Sequence, residues 1–492
     1  MELLDRQDIQ GVILHGYGAV EAAAFVLLKI GDPAACRGWL AGVAPRVRNS
    51  EEGPKQADRC LNLAFTYAGL ERLEVTERFT SSFGLAFEEG MVTPHRSRVL
   101  GDHGPSAPEH WRWGAPPVAA GAAGASEDRY PHMLLMLYAG DAQALDAFYQ
   151  EERTAFIAAG LTEVTPHLEG RHLPGRTEHF GFRDGIAQPN VVGYDAETPT
   201  DDGNTIAAGE LLLGHRNDYG QFPPSPLVPA ANDPANHLRA REGADGRDFG
   251  LNGSYLVFRQ LSQDVQGFWR YLDGQAAAHA AAATRSAERV RLASKMVGRW
   301  PSGVPLVKSP EHDDPELAAK DDHALDRFGY LGDTEGLACP VGSHVRRTNQ
   351  RDHMTNDPVE SVRLSNRHRI LRRGRPYGAP VSDTMSPDEM LAAPAPEHEQ
   401  GLNFICFNAD IPRQFEFVQN TWINNGGFAG LHCEADPLMG DHDPQGTGDH
   451  GSFTIPADPV RQRLEGLPGF VQVRGGAYFF MPSISAIRFL GS

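Results

Sequence analysis

The residues 178–189, Glu-His-Phe-Gly-Phe-Arg-Asp-Gly-Ile-Ala-Gln-Pro, place one acid, Asp184, between Gly181 and Gly185 in a segment that closes on Pro189. The two glycines let the backbone pass close to something flat or bulky, and the proline stops a helix from running through. A carboxylate presented in this way can face a ligand or a reaction centre and exchange a proton there. It can equally close an Asx-turn on its own backbone. Two further blocks follow about 160 residues later: residues 339–351, Cys-Pro-Val-Gly-Ser-His-Val-Arg-Arg-Thr-Asn-Gln-Arg, and residues 367–378, which carry Arg369, Arg372, Arg373 and Arg375 ahead of Pro376-Tyr377-Gly378. His344 is one of 20 histidines, and composition alone does not separate the arginines from one another.

In combination and in order, these blocks resemble the dye-decolorizing peroxidases, a haem peroxidase family. The marks of that family are a GxxDG acid, a histidine in a CPxGxHxRRxN-type segment, and an arginine four residues before Pro-Tyr-Gly; here they fall on Asp184, His344 and Arg372. The resemblance extends to residues 8–11, 63–70, 297–301 and 401–404, and so covers nearly the whole chain. It departs from the pattern at Gln350, where a proline is usual, and at Asn403, where a larger apolar residue is common.

The resemblance implies a peroxidase that reduces hydrogen peroxide and oxidises bulky aromatic donors, dyes or phenols, through a ferryl intermediate. It implies His344 as the axial ligand to haem iron, strengthened if its other ring nitrogen donates to a carboxylate. Asp436 is the implied acceptor, with Glu434 and Glu416 as alternatives. Asp184 would move a proton between the peroxide oxygens, and Arg372, charged at every relevant pH, would stabilise the departing oxygen. Leu402 and Phe404, two apart in a strand and so on one face, would lie over the haem. Arg346 could pair with a haem propionate, while Arg347 reads as a surface salt bridge. Bulky donors would not reach a buried haem, so electrons would leave through surface side chains such as Trp422 or Tyr478. No CxxCH occurs, so the expected cofactor is non-covalent haem b. The alternative within this class is a haem-binding or haem-handling protein with little turnover, although a carrier has no need of the Asp184 and Arg372 pair. A reading that ignores the resemblance takes Asp436, Asp441, His442, Asp443, Asp449 and His450 as a divalent-metal cluster; its Gly, Pro and Asp content favours a polar loop.

The 492 residues carry 64 acids against 45 Lys and Arg, a formal charge of −19. That balance argues against nucleic-acid or anionic-membrane partners, which require clustered cations. Five cysteines form no zinc spacing, and a sparse, odd set suits a reducing compartment. The first residues show no export signal and no apolar stretch approaches 18 residues, so the expectation is a cytoplasmic protein without a membrane span.

The elements that must position these residues read as strand–helix units recurring in both halves: residues 22–30 then a helix capped by Asp32 with Pro33 at its first position, 133–138 then 142–149, 254–258 then 264–272, and 403–407 then a helix bearing Phe415, Phe417 and Val418. Residues 12–17 also read as strand. Helices are predicted over 276–283 and 285–297, late strands at 470–473 and 477–481, and loops at 103–129, 214–250 and 310–322. The fold class is α+β. In the resembled family it comprises two ferredoxin-like halves, a duplicated antiparallel sheet with helices packed outside. The boundary is placed at 220: residues 1–220 carry the GFRDG acid, and 221–492 form the haem-binding half.

Overall fold

The structure, a computed structural model, describes residues 4–51, 58–115, 129–195, 203–243, 245–443 and 451–492. Residues 116–128 of the predicted 103–129 loop, and Asp449 and His450 of the candidate metal string, lie outside the described residues.

Alternation within single strands builds the architecture. In Ala22–Ile30, Ala24, Val26 and Leu28 enter one apolar cluster while Ala23, Phe25 and Leu27 enter another. Met133–Ala139 is likewise buried at every position and divides between the same two clusters. Strands apolar on both faces must be covered on both faces. Helices Pro33–Val43, Ala142–Ala158 and Ile484–Leu490 contribute to one cover, and the short helix Gly11–His15 to the other. Among the described residues, ten strands form one antiparallel sheet. Its order runs Leu371–Arg372, Gly401–Asn408, Ser254–Gln263, Val471–Met481, Arg59–Phe65, Met133–Ala139, Ala22–Ile30, Leu161–Glu163, with Arg375–Tyr377 also beside Gly401–Asn408 and Leu168–Arg171 also beside Ala22–Ile30. The two groups of strands meet through one residue pair, Phe480 opposite Phe65. The fold is α+β with two ferredoxin-like halves.

The predicted Asp32 cap forms, and Asp264 caps a second helix. Asp32 accepts from the Ala34 and Ala35 amides at 2.9 and 3.1 Å with Pro33 in the first turn. Asp264 accepts from Gly267 N at 2.8 Å and starts the helix Val265–His279.

Five expectations need correction. Residues 12–17 are not a strand: Gly11–His15 is a helix that turns left-handed at Gly16 (φ 64°). Its β-branched and leucine content favours a strand locally, but the carbonyls of Val12, Ile13 and Leu14 accept from the Arg373 guanidinium at 2.9–3.2 Å. A side chain 360 residues away thus satisfies the carbonyl groups that a helix end leaves orphaned. The helix bearing Phe415 is π-helical over Pro412–Glu416 and Val418–Ile423, with bonds such as Glu416 N to Ile411 O at 2.9 Å. The late strands are one, Val471–Met481, uninterrupted by Gly475 and Gly476. A Cβ at Gly475 would sit 2.5 Å from the Trp113 indole nitrogen, so glycine there admits the buried tryptophan rather than breaking the strand. The predicted 276–283 helix is the end of Val265–His279, and the 310–322 loop contains the short helix Pro315–Ala318.

Candidate active site

A cavity opens between the Ser254–Gln263 and Gly401–Asn408 strands, the segment 178–187, and the helices Arg285–Val297 and His344–Thr348. Each wall has a local origin. Segment 178–187 is a tight loop: Glu178 N donates to Phe182 O at 2.9 Å, Gly181 N to Glu178 O at 2.9 Å, and Thr177 bridges Arg183. Gly181 takes φ 93°, with Met390 and Met385 so close that a Cβ would be crowded at 3.0–3.1 Å. Phe180 and Phe182 anchor the loop on helix Val265–His279 through Phe268 (ring centroids 4.6 Å apart) and Trp269 (6.4 Å, nearly parallel). Asp184, just past the loop, faces the cavity together with Arg372.

Asp184 Oδ1 is 3.3 Å from Arg372 Nη1, and both side chains are partly exposed, 43% and 32%. Oδ1 also accepts from Gly185 N at 2.6 Å. The local turn bond and the cavity-facing role therefore coexist. Arg372 is held from its own backbone, whose N–H donates to Gln188 Oε1 at 3.0 Å, and by strand pairing with Cys406.

The His344–Asp436 pair stands on the same cavity. His344 begins the helix His344–Thr348, and its Nδ1 lies 2.9 Å from Asp436 Oδ2. Asp436 is fully buried, accepts at Oδ1 from the amides of Leu438 and Met439 at 2.9 and 3.0 Å, and donates its own N–H to Ile423 O at 2.8 Å. Burial alone would raise the Asp436 carboxyl and lower the His344 imidazole. Their mutual attraction and hydrogen bond outweigh burial, leaving the acid below and the imidazole above their ordinary values. A carboxylate can only accept, so Nδ1 carries the proton and Nε2 keeps its lone pair. The alternatives are committed elsewhere: Glu434 accepts from Thr454, and Glu416 pairs with Arg96 at 2.8 Å and with the Tyr478 hydroxyl at 2.8 Å.

Leu402 and Phe404 both line the cavity from one face of their strand. Asn403, on the other face, is buried and donates to Glu169 O at 2.8 Å. A cationic part of the wall was not singled out in the sequence. Arg299, Arg351 and Arg369 line the cavity. Arg351 bonds Asp326, Arg299 lies 3.6 Å from the same carboxylate, and Arg369 donates only a long bond of 3.4 Å to Ala187 O. Burial pushes both Arg299 and Arg369 down to about 10. Three guanidinium groups thus face one buried carboxylate, Asp326. The signal was present, since Arg299 stands in the 297–301 motif, Arg351 ends the histidine block and Arg369 competes with Arg372.

No protein-family model matches the chain. A dye-decolorizing peroxidase of Exidia glandulosa is 31% identical over 98% of this chain and 86% of its own length. The chain belongs to the dye-decolorizing peroxidase family. It is therefore a haem peroxidase. A second relative, from Auricularia auricula-judae, is 29% identical over 98% of this chain and 86% of its own. The crystal structure of a fungal dye-decolorizing peroxidase from the same organism superimposes with a TM-score of 0.77 at 27% identity over the whole of both chains. A dye-decolorizing peroxidase solved in complex with 2,6-dimethoxyphenol superimposes with a TM-score of 0.75 at 26% identity, again over the whole of both.

Three readings of individual residues in this peroxidase are overturned. Arg346 does not line the cavity: it is buried beside Asp333 at 3.1 Å, donates to the carbonyls of Cys339 and Asp333 at 2.7 and 2.9 Å, and lies over the Tyr330 ring. It braces the turn before the histidine. Arg347 is no surface salt bridge. It is fully buried and donates to the carbonyls of Gly342, Trp422, Asn425 and Glu434, tying the His344 helix to the segment that carries Asp436. Trp422 and Tyr478, read as surface residues, are 3% and 0% exposed. Both sit on apolar elements that pack inward, so neither presents a ring to a bulky donor. Among the described residues no group of three His, Cys, Asp or Glu could hold a metal ion, and Asp436 of the candidate string is engaged by His344.

Glu178 also lines the cavity. Burial pushes its carboxyl up to about 7, against the opposing pull of hydrogen bonds from the Phe180 amide, Gln263 and the Phe182 amide, and with a smaller push from Asp184. A carboxyl raised from its unfolded value favours the folded state most where it is protonated, and that contribution is lost as pH rises to the folded value. The stability of wild type relative to Glu178→Gln, measured by urea unfolding of the apoprotein, should therefore decline between about pH 4.5 and pH 7 and level off above. A difference independent of pH would show that Glu178 does not titrate in this window.

Proposed function

We propose that the cavity holds haem b, that His344 Nε2 would hold its iron, and that the protein uses it to reduce hydrogen peroxide at the expense of aromatic donors. The observation that carries this reading is the placing of two polar pairs, His344–Asp436 and Asp184–Arg372, around one otherwise largely apolar cavity. The residues fit the group. Nδ1 is committed to Asp436, while among the described residues no hydrogen bond engages Nε2. Leu402, Phe404 and Phe415 offer apolar surface to a flat macrocycle. Arg299, Arg351 and Arg369 carry more charge than Asp326 balances, which two propionates would neutralise.

Haem, when bound, would supply the iron redox chemistry. The protein supplies the rest. Asp436 accepts from His344 Nδ1 and gives the imidazole more electron density to donate. Asp184 Oδ1 takes the proton from the nearer peroxide oxygen and returns it to the farther one. Arg372 holds a fixed positive charge beside the oxygen that departs. The oxidised enzyme then takes electrons from phenolic or dye-like donors, a class suggested by the relative crystallised with 2,6-dimethoxyphenol.

The absorption spectrum before and after one equivalent of hydrogen peroxide tests the reading. A Soret band that shifts on peroxide addition and returns with a phenol supports it. Haem bound without any spectral response would favour a haem-handling protein, and no Soret band after reconstitution would end both.

Asp436→Asn should keep haem in place while raising the ferric/ferrous potential, because a neutral amide cannot share the proton of Nδ1–H as a carboxylate does. Loss of such a supporting group costs about 10- to 100-fold in affinity or activity. Potentiometry on Asp436→Asn, Glu434→Gln and Glu416→Gln checks the choice: a shift confined to either glutamate variant would reassign the partner.

A further inference from the structure

Glu178 is the one carboxylate on the cavity besides Asp184 among its described lining residues. Its side chain bends back into the loop that it begins. Oε2 accepts from Phe180 N at 2.9 Å and from Gln263 Nε2 at 2.7 Å, and Oε1 accepts from Phe182 N at 3.1 Å. Two of these donors are backbone amides at the tip of the loop that leads into Asp184; the third belongs to the Ser254–Gln263 strand of the sheet. Backbone bonds continue the frame: Asp184 N donates to Arg176 O at 3.1 Å and Arg183 N to Pro301 O at 3.0 Å. Without the carboxylate, the amides of buried Phe180 and Phe182 would lose these acceptors, and a buried donor left unpaired is costly. An amide side chain accepts at one oxygen only and turns its NH2 donor toward one of the three N–H groups. Burial opposes a charged group here, and the three accepted bonds act against that penalty.

We propose that Glu178 is the positioning residue of the peroxide-cleaving face: its carboxylate ties the 178–182 loop to the central sheet and so fixes Asp184 opposite Arg372. The proposal rests on the assignment of peroxide cleavage to Asp184 and Arg372. A displacement of the order of 1 Å at a reacting group can cost about 100-fold, so Glu178→Gln should slow the reaction of the ferric enzyme with peroxide by about 10- to 100-fold. The kcat/KM for a phenolic donor should stay unchanged, since donor oxidation is a separate half-reaction that follows the step concerned.

The test combines stopped-flow reaction with peroxide and fluoride affinity of the ferric enzyme at about pH 8, where Glu178 is a carboxylate, for wild type, Glu178→Gln, Glu178→Asp, Asp184→Asn and the Glu178→Gln/Asp184→Asn double variant. Fluoride bound at the iron reports the hydrogen bonds on that side of the haem without turnover. The expected result is a slower peroxide reaction and weaker fluoride binding in Glu178→Gln, partial recovery in Glu178→Asp, and no further loss when Glu178→Gln is added to Asp184→Asn. Multiplicative losses in the double variant would overturn the proposal, because Glu178 would then act independently of Asp184. So would wild-type fluoride affinity and peroxide rate in Glu178→Gln. If Asp184→Asn itself reacts at the wild-type rate, the assignment of Asp184 fails first, and a slow Glu178→Gln would then mark Glu178 as the acid that acts directly. Should Glu178→Gln lose its fold, Gln263→Leu, which removes only the tie from carboxylate to sheet, carries the same comparison.

Discussion

Arg372→Leu is expected to slow the reaction of the ferric enzyme with hydrogen peroxide by roughly 100- to 1000-fold, the loss of about 2.7–4 kcal/mol that accompanies removal of one preorganised charge or donor. The guanidinium lies 3.3 Å from Asp184 and is held by its own backbone bond to Gln188, so its place in the cavity is set before any ligand arrives. Asp184→Asn removes the proton acceptor and should cost about 100- to 10,000-fold. The two residues serve one step, and their combined loss should be less than the product of the separate losses. Stopped-flow absorbance at the Soret band measures all three variants. Wild-type rates in Arg372→Leu and Asp184→Asn would place peroxide cleavage elsewhere and leave the reading resting on His344. A slow Arg372→Leu with a normal Asp184→Asn would assign proton transfer to water or another group and return Asp184 to the turn bond it already makes with Gly185.

His344→Ala is expected to abolish most haem binding and to weaken the fold. The substitution removes the imidazole proposed to hold the iron, and it strands a fully buried carboxylate without its imidazole partner. Breaking a buried ion pair by removing one member costs about 3–5 kcal/mol. Some of that cost can be avoided, because Asp436 keeps its two backbone donors and can take up a proton. The haem content of purified protein, resonance Raman spectroscopy of the iron–histidine stretch, and urea unfolding together check the prediction. An unchanged iron–histidine band in His344→Ala would sink the assignment. The double variant His344→Ala/Asp436→Asn should recover stability but not haem, which separates the electrostatic penalty from the loss of the ligand.

The chemistry of this peroxidase was legible in short stretches whose residue types are demanding. Asp184 between glycines, His344 in its block and Arg372 ahead of Pro-Tyr-Gly can be read from the chain because each motif encodes its own local backbone. The strand–helix rhythm was legible too, from two-residue alternation and from caps such as Asp32 with Pro33. Asp436 was reached only through resemblance, with two rivals; the structure separates them because Glu434 and Glu416 find other partners. What the chain did not disclose is decided by contacts between segments far apart in it. The 11–15 helix is a helix because Arg373 satisfies its carbonyls. Gly475 belongs to an unbroken strand because Trp113 needs the space. Arg346 and Arg347, neighbours of the histidine, turn away from the cavity into bracing roles, while Arg299 and Arg369, drawn from other motifs, line it. Local propensity and motif spacing specify what a residue can do. Which arginine faces the cavity, and which carboxylate faces the imidazole, depends on long-range packing that buries some charges against carbonyls and leaves others without enough countercharge, and only the assembled fold contains that information.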